Sequence, residues 1–192
     1  MNLPNKLTVL RICLVPFVVG IYVCMSPEVC VLDSVSGLSL RNVIVLAIFA
    51  IASITDYLDG MLARKNNWIT SFGKFADPIA DKLLVNTVLI LLASTQEISV
   101  IPVLLMIARD LVVDGLRMSA AKSGEVVSAG WWGKVKTVLQ MFAIICTLLC
   151  NWPFAYLHIP VATILLWAAT LASLYSGWIY FKKLKKYVME TM

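Results

Sequence analysis

Four carboxylates define the chemistry open to this chain. Asp56 and Asp59 stand in the run D-Y-L-D-G-M-L-A-R (residues 56–64), and Asp77 and Asp81 in G-K-F-A-D-P-I-A-D (residues 73–81). On a helix, positions i, i+3, i+4 and i+7 share a face, so Asp56, Asp59, Gly60 and Ala63 fall within an arc of roughly 100°. Gly73, Asp77 and Asp81 share a face in the same way, at i, i+4 and i+8. Each helix thus offers two carboxylates and a glycine on one side. Four carboxylates on adjacent helices repel one another unless cations neutralise them, and an all-oxygen cage suits hard divalent ions, Mg²⁺ or Mn²⁺. The alternative for a single Asp-x-x-Asp is a solvated helix end paired with Arg64, Lys65, Lys74 or Lys82. Two such faces, each with a glycine in register, favour the metal site.

The elements that must position these residues are apolar. Of 192 residues, 60% are hydrophobic and 14% charged, and the mean hydropathy is +0.88. A soluble domain is about half apolar or less, so the composition indicates an all-α integral membrane protein, with one membrane-embedded domain over residues 1–192. Carboxylates in membrane segments are costly and usually face a protein interior or a watery cavity. Cys13, Cys24, Cys30, Cys146 and Cys150 show no C-x-x-C spacing and read as small hydrophobes, with a bridge among the last four left open. The only histidine, His158, lacks nearby ligands for a metal. The sequence carries no internal repeat, glycine-rich phosphate loop or nucleic-acid motif.

Six apolar spans are expected, each near the length a bilayer requires. A polar interfacial segment, residues 1–6, precedes Leu7–Met25, whose basic start and apolar run imitate a signal peptide without a convincing cleavage site. Residues 26–40 form a polar loop. The second span, Val43 to Met61, delivers Asp56 and Asp59 at its far end, and the third runs from Gly73 to Leu92. Pro78 implies a kink there, or a regular helix starting near Asp77. Val100–Ala121, Lys134–Cys150 and Val161–Tyr180 complete the set, and the tail F-K-K-L-K-K-Y is polybasic. With a cytoplasmic N-terminus, the Arg64–Lys74 turn, the Lys122–Lys136 region and the tail are cytoplasmic, and only Arg41 among the basic residues lies outside. The acidic site then opens toward the cytosol, where a polybasic tail suits anionic headgroups.

Two further groups of polar residues carry alternative readings. Asn5, Thr8 and Arg11 share one side of the first span and either point at the site or anchor the helix at the headgroups. In the fourth span, Arg109 and Arg117 are nearly eclipsed, and Asp110 and Asp114 form an i, i+4 pair. These residues form either internal ion pairs, such as Arg109–Asp114 or Asp110–Asp114–Arg117, or a cationic pocket for an anionic substrate.

The order Asp-x-x-Asp-Gly-x-x-Ala-Arg, then Gly-x-x-x-Asp-x-x-x-Asp, resembles the signature of the CDP-alcohol phosphatidyltransferases. Asp56, Asp59, Gly60, Ala63, Arg64, Gly73, Asp77 and Asp81 fill every signature position. The resemblance implies that Asp56, Asp59 and Asp77 bind two metal ions. It makes Asp81 both a further ligand and the base that deprotonates the acceptor hydroxyl. Gly60, Ala63, Arg64 and Gly73 match positions that shape the site for CDP-diacylglycerol. The implied reaction is attack of an alcohol on the β-phosphorus of that lipid with release of CMP, in a homodimer of six-helix subunits.

Further matches lie in N-L-P-N-K-L-T-V-L-R (residues 2–11), F-A-D-P-I-A-D-K-L-L (75–84), A-R-D (108–110) and G-K-V-K-T (133–137). Within the family they are most similar to members whose acceptor is glycerol 3-phosphate, with phosphatidylglycerol, inositol phosphate and serine as alternative acceptors. Arg109, Arg117, Lys134 and Lys136 are then natural binders of the acceptor phosphate. Divalent-cation transport is the competing class, since intramembrane carboxylates also mark ion paths. Transport predicts acids spread through the membrane depth, whereas these four cluster at one end.

Overall fold

The computed structural model of the chain describes residues 3–25, 37–65, 71–122 and 130–189. Within those ranges the side chains of residues 3–4, 57–60, 62–65, 71–75, 78, 122 and 186–189 lie outside the description. Six α-helices follow one another among the described residues: α1 (Leu3–Cys24), α2 (Leu40–Lys65), α3 (Ser71–Ser94), α4 (Val100–Lys122), α5 (Trp131–Leu148) and α6 (Val161–Met189). A 3-10 turn, Phe154–Leu157, separates α5 from α6.

The helices extend past the expected apolar spans at several ends. From Leu3 onward the N-terminal polar segment is helical and forms the first turn of α1. A proline in a first turn gives up no intrahelical bond, because the first amides have no carbonyl to reach. Helix α3 starts at Ser71 and runs unbroken through position 78. Helix α5 begins at Trp131, where the Gly133 and Lys134 amides donate to the Gly130 carbonyl at 3.1 and 3.4 Å. Lys134 and Lys136 therefore sit inside α5 and do not open it. Helix α6 continues beyond Tyr180 to Met189, which makes the polybasic tail helical, with Leu184 fully buried.

The chain packs as two compact units, one of Met1–Thr95 with Leu148–Ile159, the other of Gln96–Thr147 with Pro160–Met192. In the first unit α1 packs on both α2 and α3. Helix α2 buries Val45, Phe49 and Ala52, and α3 buries Ala80, Leu84 and Val88. Spacings of three, four, seven and eight keep each set on one helix face. At the start of α2, the buried Arg41 lies 4.4 Å over the Tyr22 ring, and Asn42 Oδ1 accepts from Arg41 Nε at 3.4 Å. Cys150 Sγ links the 148–159 segment to this end, donating to the Gly37 carbonyl at 3.5 Å and accepting from Asn42 Nδ2 at 4.0 Å. Cys13, Cys24, Cys146 and Cys150 are free thiols, and Cys30 lies outside the described residues.

In the second unit α4 packs along α6, around Val113, Leu116, Ala120, Tyr180 and Leu184. The opposite sides of these two helices are apolar and outward-facing. Leu104, Leu111 and Met118 on α4 are 60–68% exposed at seven-residue spacing, and Ile164, Leu171 and Trp178 on α6 repeat the pattern. Among the described residues, Asn5–Cys24 and Val161–Lys185 are long and apolar enough to cross a membrane.

Candidate active site

Helix α1 organises the described part of the acidic site. Thr8 and Arg11 lie one turn apart on a face buried against α2 and α3, with Thr8 wholly inaccessible and Arg11 only 2% exposed. The Thr8 hydroxyl donates to Asp77 Oδ1 at 2.5 Å. The Arg11 guanidinium donates through Nη1 to Asp56 Oδ1 and brings Nη2 to 4.0 Å from Asp77 Oδ1. One guanidinium thus spans a carboxylate of α2 and a carboxylate of α3. Of the two readings open for Arg11, pointing at the site and anchoring at headgroups, the structure selects the first. Arg11 and Thr8 are 45 and 69 residues from their partners, a separation that only helix packing bridges.

Asp56 and Asp77 remain 43% and 48% exposed as side chains, so α1 orients both without burying them. Asp81 follows Asp77 by one turn of α3 and is half-buried. Asp59, Gly60, Ala63 and Arg64 lie on α2 and Gly73 on α3, but their side-chain surroundings fall outside the described residues. Among the described residues no three acidic, histidine or cysteine side chains converge as a metal cluster. The donor chemistry nonetheless fits a hard divalent ion: the groups are carboxylates, partly accessible, and drawn toward one point by a shared guanidinium.

The second unit holds the four basic residues expected at an acceptor phosphate. Asp110, nine-tenths buried, accepts from Arg109 Nη1 at 2.8 Å through one oxygen and from Lys136 Nζ at 2.6 Å through the other. Arg109 also donates through Nη2 to the Ser176 hydroxyl at 2.7 Å. Arg117 donates through Nη2 to the Tyr180 phenol at 2.9 Å. Lys134, two residues before Lys136 on α5, is exposed. The observed ion pairs therefore include Arg109–Asp110–Lys136, with α5 supplying the second cation. Two cations, one from α4 and one from α5, thus share the Asp110 carboxylate.

Ser176 and Tyr180 are functional candidates that the sequence reading passed over, because α6 looks like a generic apolar span. A signal is present nonetheless: Ser173, Ser176, Gly177 and Tyr180 recur at i, i+3, i+4 and i+7, a small and polar stripe in apolar surroundings. The absence of a Cβ at Gly177 matters here, since one would lie 2.9 Å from Arg109 Cγ. The glycine makes room for the arginine stem.

The model of the CDP-alcohol phosphatidyltransferase family matches residues 1–175. The chain belongs to the CDP-alcohol phosphatidyltransferase family. Among relatives of this phosphatidyltransferase, a Bacillus subtilis protein is 41% identical over 95% of this chain and 94% of its own length. A Rickettsia bellii protein is 40% identical over 97% of each chain. A Haemophilus influenzae protein is 36% identical over 91% of this chain and 89% of its own. All three bear the name CDP-diacylglycerol–glycerol-3-phosphate 3-phosphatidyltransferase. Family membership sets aside cation transport, the other class that the carboxylates allowed.

Proposed function

We propose that the chain transfers a phosphatidyl group from CDP-diacylglycerol to glycerol 3-phosphate, forming phosphatidylglycerophosphate and CMP. The observation that carries this reading is the near full-length likeness, at 41% identity, to the Bacillus subtilis transferase of that name. In this reaction an acceptor hydroxyl oxygen attacks the β-phosphorus of the lipid. The bond from that phosphorus to the oxygen bridging toward CMP breaks, and CMP leaves with its electron pair. Asp81 receives the hydroxyl proton.

Asp56, Asp59, Asp77 and Asp81 are the proposed ligands of two Mg²⁺ or Mn²⁺ ions, which when bound neutralise diphosphate charge. Thr8 and Arg11 hold Asp77 and Asp56 for that task. Gly60, Ala63, Arg64 and Gly73 receive the CDP-diacylglycerol head, glycine allowing close backbone approach. Arg109, Arg117, Lys134 and Lys136 bind the acceptor phosphate, and their charge favours a dianion over serine or a neutral alcohol. Positioning and charge stabilisation are most of what phosphoryl-type transfer requires.

The same reading sets the six helices across the cell membrane as one catalytic domain, with the carboxylates toward the cytoplasm and a homodimer as the working unit. The exposed apolar stripes of α4 and α6 support a lipid-facing surface, and the one-sided distribution of Lys and Arg supports the orientation. The test is CMP release from CDP-diacylglycerol by purified protein in detergent with Mg²⁺ or Mn²⁺. Glycerol 3-phosphate, phosphatidylglycerol, inositol phosphate and serine are offered in turn, with Asp81→Asn as control. Metal-dependent release with glycerol 3-phosphate alone, abolished in the variant, is expected. Release only with another acceptor refutes the acceptor assignment.

A further inference from the structure

Tyr180 joins three elements of the second unit at a single atom. Its ring is 6% exposed and sits in the apolar cluster of Val113, Leu116, Ala120 and Leu184, which fixes the direction of the phenol. The phenol oxygen accepts from Arg117 Nη2 on α4 at 2.9 Å and from the Gly130 amide, just before α5, at 2.6 Å. The Arg117 guanidinium carbon also lies 4.9 Å from the ring centroid, and that of Arg109 lies 6.0 Å from it. An aromatic face attracts guanidinium groups at such distances, while a hydrogen bond to a charged donor adds direction that a ring face does not. Gly130 in turn caps the turn that leads to Lys134 and Lys136. Arg117 and the start of α5, which come from different parts of the chain, are therefore referred to the same hydroxyl.

We propose that Tyr180 is a positioning residue for the acceptor: its phenol oxygen sets the Arg117 guanidinium and the first turn of α5 in register, so that the cations meet one phosphate together. This inference rests on the reading of Arg109, Arg117, Lys134 and Lys136 as the phosphate-binding set. It gives α6 a role in acceptor affinity through an uncharged side chain.

The test compares wild type, Tyr180→Phe, Arg117→Gln and the double variant in steady-state CMP release, varying glycerol 3-phosphate and CDP-diacylglycerol separately. Tyr180→Phe keeps the ring and removes the hydrogen bonds from the Arg117 guanidinium and the Gly130 amide, so KM for glycerol 3-phosphate should rise at least about tenfold. Turnover at saturating acceptor and KM for CDP-diacylglycerol should stay within about twofold, because an interaction made equally in ground and transition states changes KM alone. In the Arg117→Gln background the same change should raise KM by less than about tenfold, since only the bond from the Gly130 amide is left to lose.

An unchanged KM in Tyr180→Phe alongside a raised KM in Arg117→Gln overturns the inference and leaves the acceptor reading standing. No KM change in Arg117→Gln overturns the acceptor reading, and the inference with it. Equal losses for both substrates and in turnover, tracking a fall in Tm, make Tyr180 merely structural and overturn the inference. Gly130→Pro replaces the amide hydrogen facing the phenol and tests the same anchor without altering Tyr180. It too must raise KM for glycerol 3-phosphate selectively.

Discussion

Replacing Arg11 by glutamine should make the stability of this protein depend on divalent metal far more than it does in the wild type. Arg11 is the cation that the structure sets between Asp56 and Asp77, in contact with the first and 4.0 Å from the second. Removing one partner of a fully buried ion pair costs about 3–5 kcal/mol. Arg11 is buried, but its partners are 43% and 48% exposed, so water solvates the abandoned carboxylates and a loss of about 2 kcal/mol is expected. For a chain of this length each kcal/mol shifts Tm by about 2–4 °C, giving a fall of about 4–8 °C in chelator.

The sign with metal present follows from the same charges. A divalent ion bound by the carboxylates supplies the positive charge that Arg11 supplied, so Mg²⁺ or Mn²⁺ should restore at least half of the lost Tm. Lost packing of the arginine stem is the same with and without metal and cannot produce that difference. The assay is thermal unfolding of detergent-solubilised wild type, Arg11→Gln and Arg11→Lys, each in chelator and in a manganese titration. Arg11→Lys keeps a charge and should fall between the other two in chelator. A Tm loss in Arg11→Gln that is identical in chelator and in saturating Mn²⁺ would refute the placement of Arg11 against carboxylates that hold metal, as proposed above.

Two further outcomes follow from the second unit. Lys136→Met leaves the buried Asp110 carboxylate with Arg109 alone, so Tm should fall by about 6–12 °C, matching a loss near 3 kcal/mol. Combining it with Asp110→Asn should cost less than the two single changes summed, and strict additivity would refute the pairing. Gly177→Ala sets a methyl 2.9 Å from Arg109 Cγ, which forces the near end of that side chain to move. It should lower stability by about 1–3 kcal/mol, as overpacking does, measured by the Tm shift. An unchanged Tm would mean that the arginine stem yields without cost.

Helix existence and the acidic motif were legible from sequence because both are local. The spacing of Asp56 and Asp59 on α2, and of Asp77 and Asp81 on α3, follows from helical periodicity alone, and apolar runs of about 20 residues announce the helices around them. Helix ends were less legible: Leu3–Lys6, the turn at Trp131 and the run from Phe181 to Met189 are polar or charged but remain helical, since apolar patterning reports burial and not backbone conformation.

Partner choice belonged to the tertiary structure. Nothing near Arg11 in the chain indicates Asp56, nothing near Thr8 indicates Asp77, and the spacing within α4 pairs Asp110 with residues other than Lys136. The hydroxyl that gathers Arg117 and Gly130 comes from Tyr180, 63 and 50 residues away, on a helix whose composition resembles any membrane span. Periodicity determines which side chains share a face of one helix. Which face of another helix they meet, and at what height, depends on how the helices cross and pack, and only the folded chain decides that.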